Sequence, residues 1–307
     1  MTFNERVQID PGRASSGGGP RRGGRLALGG GAGGLIVLVL ALLMGGDPGS
    51  TLGQFTGTQD TAQREVTAGT PEHCRTGADA NTYVDCRVVL TAQSLDAVWA
   101  EQLPEQTGGA YEPPALRLFT GSVSTGCGYA TSAVGPFYCP ADRTAYFDVG
   151  FFQELVDRFG AAGGPLAQEY VVAHEFGHHI QTLLGDIGRA QQDPQGPESG
   201  AVRSELQADC YAGIWAHYAD RTPAPGSDTP LLQPLDDADI RDALSAAAAV
   251  GDDRIQESAQ GRVNPEVWTH GAGEQRQKWF LAGYHTGEVQ SCDTYSATNL
   301  DDPEGLR

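Results

Sequence analysis

Between residues 168 and 184 the chain reads QEYVVAHEFGHHIQTLL, and its apolar positions recur at helical spacing. Val172, Phe176, Ile180 and Leu183, with Leu184 at the edge, form one stripe suited to burial. His174 and His178, four residues apart, share a face turned away from that stripe. The pattern predicts a helix from about residue 166 to 184, stopped at Gly185.

The same reading along the chain predicts several helices and few strands. Residues 95–102 (LDAVWAEQ) read as a helix that stops at Pro104, and residues 83–90 (YVDCRVVL) as a strand or an early helix. Residues 116–120 (LRLFT) and 144–149 (TAYFDV) have the content of two short strands, joined by a Gly-rich excursion into a small sheet. Further helices are expected at 151–159, from 204 to about 220, at 236–251 and at 274–281. Residues 185–200 and 221–234 read as loops.

The N-terminal quarter follows another pattern. Residues 1–25 are Gly-, Ser- and Arg-rich without apolar periodicity and read as a disordered cytoplasmic tail. Residues 26–44 are 19 uncharged positions. At about 1.5 Å each they just cross a hydrocarbon core about 30 Å thick, as a single transmembrane helix. Five Arg precede or flank that run, which by the positive-inside rule leaves the tail in the cytoplasm and exports the rest. A cleaved signal peptide has the same basic-then-apolar order, but no small-x-small site closes this one. Residues 45–71 read as a flexible linker, and a folded domain is expected over 72–300.

Composition narrows the picture. Ten Phe, ten Tyr and four Trp are enough for a real core. A net charge of −19 argues against a nucleic-acid partner, whose phosphates need a basic face. The six Cys all follow residue 70, form no C-x-x-C pair and are even in number, as in a disulfide framework of an oxidising compartment. Proximity pairs Cys74 with Cys86 and Cys127 with Cys139, leaving Cys210 with Cys292.

The chemistry lies in His174-Glu-Phe-Gly-His178. Two His at this spacing reach a single ion, and Glu175, about 100° round the helix, reaches a water on that ion without being forced to bind it. A catalytic zinc usually takes three protein ligands. Glu205, 27 residues after His178 on a helix with an apolar opposite side, is the candidate third. Asp209, four residues further on, is placed to accept a hydrogen bond from a ligating His and fix its orientation. Ala208, Ala212 and Gly213 are small enough to let this helix approach the first closely. His179 and His217 point elsewhere on their helices. His270 is a candidate donor to a developing oxyanion, as are Tyr129 and Tyr138; Arg276 reads as a structural ion-pair partner.

With His174-Glu-Phe-Gly-His178-His and Glu205-Leu-Gln-Ala-Asp-Cys-Tyr-Ala-Gly213 in place, the sequence resembles the bacterial family named putative neutral zinc metallopeptidase. Cys127-Gly, Gly135-Pro-Phe-Tyr-Cys-Pro140, Thr269-His-Gly271, Glu274-Gln-Arg276 and Trp279-Phe280 match it too, and Ala272-Gly273 departs from it. The resemblance implies a membrane-anchored gluzincin-like protein. The expected fold is α+β: a mainly helical, zincin-like domain with a small sheet, preceded by one transmembrane helix. The expected activity is hydrolysis of peptide bonds in a peptide or protein substrate, with Zn2+ as cofactor and Glu175 as general base. An edge strand beside the histidine helix would then hold the substrate by backbone pairing. Two rival readings are a membrane-tethered binding or scaffold protein with a zinc site, and a zinc hydrolase of a non-peptide bond.

Overall fold

The computed structural model describes residues 2–16 and 70–307. The first strand, β1, is Ser15–Ser16; helices α1 (Gly77–Thr82) and α2 (Val84–Thr107) follow. Next come strands β2 (Ala115–Phe119), β3 (Ser122–Thr125), β4 (Gly128–Thr131), β5 (Phe137–Cys139) and β6 (Thr144–Asp148). The rest is helical: α3 (Phe151–Asp157), α4 (Pro165–Leu184), α5 (Gly200–Ala219), α6 (Asp237–Ala249), α7 (Asp252–Gln260) and α8 (Gly273–Thr286). The α+β class expected from the pattern is therefore observed.

Helix α4 forms because its ends and its stripe agree. Pro165 opens it, where the missing N–H costs no helical bond, and Gly185 closes it at φ 87°. Val172, Phe176 and Ile180 are buried in the main core, beneath the histidine face. Helix α5 begins four residues earlier than the pattern suggested, because Ser199 caps it by accepting the Val202 N–H at 3.2 Å. The two helices meet at Gly177 and Ala208: a Cβ on Gly177 would lie 2.7 Å from the Ala208 carbonyl oxygen. Gly213, expected from its smallness to serve this contact, faces α8 instead, where a Cβ would lie 2.0 Å from the Phe280 carbonyl oxygen.

Two sequence-based boundaries need correcting. Residues 84–107 are one helix, α2, which absorbs both the ambiguous 83–90 stretch and Pro104. Proline removes one N–H near the C-terminal end, but the last turn persists because the Gly108 N–H reaches the Pro104 carbonyl at 2.9 Å. Buried Val88, Val89, Leu95, Val98 and Trp99 hold α2 against the core, so packing overrides the break.

The larger sheet has the order β1-β2-β6-β5. Strands β2 and β6 pair in parallel, Ala115 opposite Thr144, because the excursion between them returns the chain in the same direction. That excursion contains the β3–β4 hairpin and is stapled by Cys127–Cys139. Cys74–Cys86 and Cys210–Cys292 are also bonded, as proximity suggested. The last bridge ties the C-terminal segment to α5.

The largest departure is at the N-terminus. Residues 2–16, expected to be a disordered tail, are packed onto the domain. Phe3 is fully buried and pairs as an isolated bridge with Leu232, while Gln8 bridges to Thr76. Ser15 and Ser16 add β1 to the edge of β2. The Arg13 guanidinium lies 5.6 Å from the centre of the Phe176 ring on α4, and the Thr2 hydroxyl donates to Glu169 on the same helix. The sequence hid this because only Phe3, Val7, Ile9 and Ala14 carry the apolar contact, and they dock without a helical period. Residues 26–44, read as a membrane span, lie outside the described residues, as do 17–25 and the linker up to 69. Among the described residues no helix is long and apolar enough to cross a membrane.

Candidate metal centre

The close approach at Gly177 brings Glu205, one turn before Ala208, between the two histidine rings. Glu205 Oε2 lies 3.2 Å from His174 Nε2, and Oε1 lies 3.5 Å from His178 Nε2. Ligand atoms about 2.0–2.1 Å from a tetrahedral zinc stand roughly 3.3 Å apart, so these spacings fit that ion. Taken together, one ligand atom from each residue falls within 4.8 Å of the others. Two imidazoles and one carboxylate are also the donor set zinc favours at sites with a position left open.

The outer nitrogens are held. His174 Nδ1 meets Asp209 Oδ1 at 2.8 Å, which is the hydrogen bond expected of Asp209. Asp209 is fully buried and also receives Arg276 Nε at 2.8 Å and the Tyr170 hydroxyl. Arg276 is thus the ion-pair partner its position suggested, but the pair is buried beside the candidate metal ligands: Arg276 lies 3.9 Å from Glu205. His178 Nδ1 meets Gln181 Oε1 at 2.9 Å, and Gln181 is itself fixed by Ser204 and Gln207 on α5. Both rings therefore turn Nε2 toward Glu205.

Charge follows this geometry. Burial opposes ionisation of His174, yet the carboxylates of Asp209 and Glu205 outweigh it and raise its pKa to about 9. Burial also opposes ionisation of Glu205, but the imidazoles beside it hold its carboxyl far below the usual range. Asp209 is lowered against its own burial by Arg276 and then His174. Burial raises Glu175, partly offset by the two histidines.

The cluster lines a cavity, and Glu175, His270 and Arg276 share its wall. Segment 134–136, leading into β5, forms part of the rim. β5 is the outermost strand of its sheet among the described residues. His270 is held from behind by Asp252, the first residue of α7. Its Nδ1 lies 3.0 Å from Asp252 Oδ1, while Oδ2 accepts the N–H groups of Thr269, His270 and Gly271 at 2.7, 2.6 and 3.1 Å. Burial disfavours the charged form of His270, and the Asp252 carboxylate more than offsets this.

The remaining candidates lie elsewhere. His179 is a structural residue: its Nδ1 meets the Tyr138 hydroxyl at 3.0 Å and its Nε2 the Glu112 carbonyl at 2.7 Å. Tyr138 is thereby engaged away from the cavity, and Tyr129 is exposed on β4. His217 meets the Tyr284 carbonyl at 2.6 Å. His73 and Asp85 approach Cys74 and Cys86, but those sulfurs are bonded to each other and offer no thiolate. Sequence reasoning missed Tyr170, Gln181 and Asp252. Tyr170 and Gln181 sit four before His174 and three after His178, so helical spacing could have found both. Asp252 had no local signal, since it meets His270 only through the fold.

The model of the family described as "Putative neutral zinc metallopeptidase" matches residues 3–295. An uncharacterized protein of Mycobacterium tuberculosis is 61% identical over 300 residues, covering 98% of this chain and all of that protein. An uncharacterized protein of Mycobacterium bovis matches equally. The uncharacterized protein YpfJ of Escherichia coli is 42% identical over 212 residues, covering 67% of this chain and 69% of its own. No solved structure gives a significant match.

Proposed function

The chain belongs to this zinc metallopeptidase family, and from that premise we propose that it is a zinc-dependent endopeptidase. One observation supports this above the rest: Glu175, a carboxylate the metal cluster does not use, faces the same cavity as the three ligand atoms. A closed structural zinc site has no need of it.

His174, His178 and Glu205 would hold the metal, with Asp209 and Gln181 fixing the two rings. When bound, zinc supplies a Lewis acid that polarises the scissile carbonyl and lowers the pKa of the attacking water. Glu175 takes the proton from that water and passes it to the leaving amine. His270, its Nδ1 engaged by Asp252, is left with Nε2 to donate to the developing oxyanion. The outer edge of β5 offers backbone groups to an extended substrate.

The test uses the full zinc-loaded chain and a mixed peptide library, beside Glu175→Gln at equal zinc content. Cleavage by the parent, lowered about 100- to 10,000-fold in the variant, is the expected result. Cleavage unchanged in the variant would remove Glu175 from its role. A parent that binds zinc yet cleaves nothing leaves the binding or scaffold reading, and turnover of esters alone leaves the non-peptide hydrolase.

Three disulfides support placing the domain outside the cytoplasm. The packing of residues 2–16 onto the same body supports the same compartment for them, in place of the cytoplasmic tail expected from the sequence. A cysteine placed at exposed Glu5 should react with an impermeant maleimide on intact cells; protection of that thiol until lysis would refute the placement.

A further inference from the structure

A peptide seated with its carbonyl near Glu175 and His270 must lay a neighbouring side chain against the adjoining wall of the cavity. That wall is built from four separate parts of the chain. Val171 stands on α4 one turn before Glu175, so the two project side by side. Val134 precedes β5, Phe151 opens α3 and Phe159 follows it, and Val250 and Ile255 come from the junction of α6 and α7. None of the six carries a polar side-chain atom. Phe151, Phe159, Val250 and Ile255 are only part-buried, so they hold apolar area that a bound molecule can cover.

The charged groups of the cavity lie together at its metal end. Arg276, the lone guanidinium among the lining residues, is already paired with Asp209 and offers little to a substrate carboxylate. A charged side chain on the apolar wall would lose water and gain no partner, whereas an aliphatic or aromatic one would gain burial.

We propose that this wall is the subsite for a bulky apolar residue next to the scissile bond, so that the substrates are peptides carrying Leu, Ile, Met or Phe there. The inference rests on the peptidase reading and adds the substrate class to it. In a pocket of this kind each methylene discriminates roughly 10- to 200-fold, so Leu and Phe should exceed Ala at that position by at least about tenfold in kcat/KM.

The test has two arms on the full zinc-loaded chain. In the first, library products are sequenced, and bonds flanked by Leu, Ile, Met or Phe should dominate; cleavage without that bias overturns the subsite. Ile255→Asp should lower kcat/KM for the Leu peptide about tenfold and raise it for the Lys peptide, while Ile255→Ala should lower the first without raising the second. An unchanged preference in Ile255→Asp would also count against the wall. In the second arm, peptide hydroxamates bearing Leu, Phe, Asp or Lys are bound to Glu175→Gln and read by thermal shift. Binding of the Leu and Phe compounds at least about tenfold more tightly than the charged ones is expected; equal affinity overturns the subsite even if the parent cleaves nothing, an outcome that would sink the peptidase reading separately.

Discussion

Helix α4 buries a glutamate and a histidine on each of two faces, and the pairs have opposite fates. On one face Glu175 and His178 line a cavity beside Glu205. On the other, Glu169 and His179 are fully buried, the first accepting from the Thr2 hydroxyl and the second set between the Tyr138 hydroxyl and the Glu112 carbonyl. His178 and His179 are consecutive, so one residue of rotation, about 100°, separates a candidate metal ligand from a core hydrogen-bonding group. The difference lies in what each ring meets. His178 has a carboxylate on its free nitrogen and an amide oxygen on the other. His179 has a hydroxyl and a backbone carbonyl, and burial lowers its pKa to about 4, so it stays neutral. Residue type and burial alone do not mark a site; an uncompensated set of donors facing a cavity does.

The comparison can be broken most sharply at those two histidines. His178→Ala should abolish stoichiometric zinc binding and reduce turnover to background while the fold persists, as measured by metal content and circular dichroism. His179→Ala should keep zinc but lose about 3–4 kcal/mol of stability, since it leaves a cavity and two unpaired buried groups. If instead the second variant released zinc and the first did not, the assignment of faces would be reversed.

The buried acid of the back face gives a pH signature. Burial raises Glu169 to about 7, partly offset by the Thr2 hydroxyl and then Arg87, with Asp239 adding to the rise. Its folded pKa lies above the ordinary 4.5, so the folded state keeps a proton that the unfolded state has lost. Stability from this group is full below about 4.5 and is lost as pH rises through about 7. Glu169→Gln, which can still accept from Thr2, should be more stable than the parent by up to about 3 kcal/mol at pH 8 and nearly equal to it at pH 4. Parallel urea curves at the two pH values would show it; a constant difference would refute it.

The smallest effect tests whether Asp252 does for His270 what Asp209 does for His174. Asp252→Asn keeps the size but weakens the hold on Nδ1, and should lower kcat about tenfold with KM little changed and zinc retained. A purely structural Asp252 would change melting temperature without altering the pH profile of kcat.

Where sequence was legible, the signal was local. His174, Glu175 and His178 are fixed on one helix face by spacing alone, and Glu205 with Asp209 by the same rule on a second helix. The two short-range disulfides needed only proximity. What spacing could not supply was the point on the histidine helix at which the second helix would meet it. Gly177 looked like an ordinary helical residue, although its missing Cβ is what admits Ala208 and so carries Glu205 to the histidines. Pro104 looked like a stop, and packing carried α2 through it.

The sequence by itself determined which residues could bind a metal and on which faces they stand, because helical periodicity is a property of neighbouring residues. Only the tertiary structure decided that Arg276 and Tyr170 would lock Asp209, that Asp252 would hold His270, and that Thr2 would reach Glu169 on the back of α4. Those contacts join residues 18 to 167 positions apart, and nothing in a local pattern records a distance that exists only once the chain has folded.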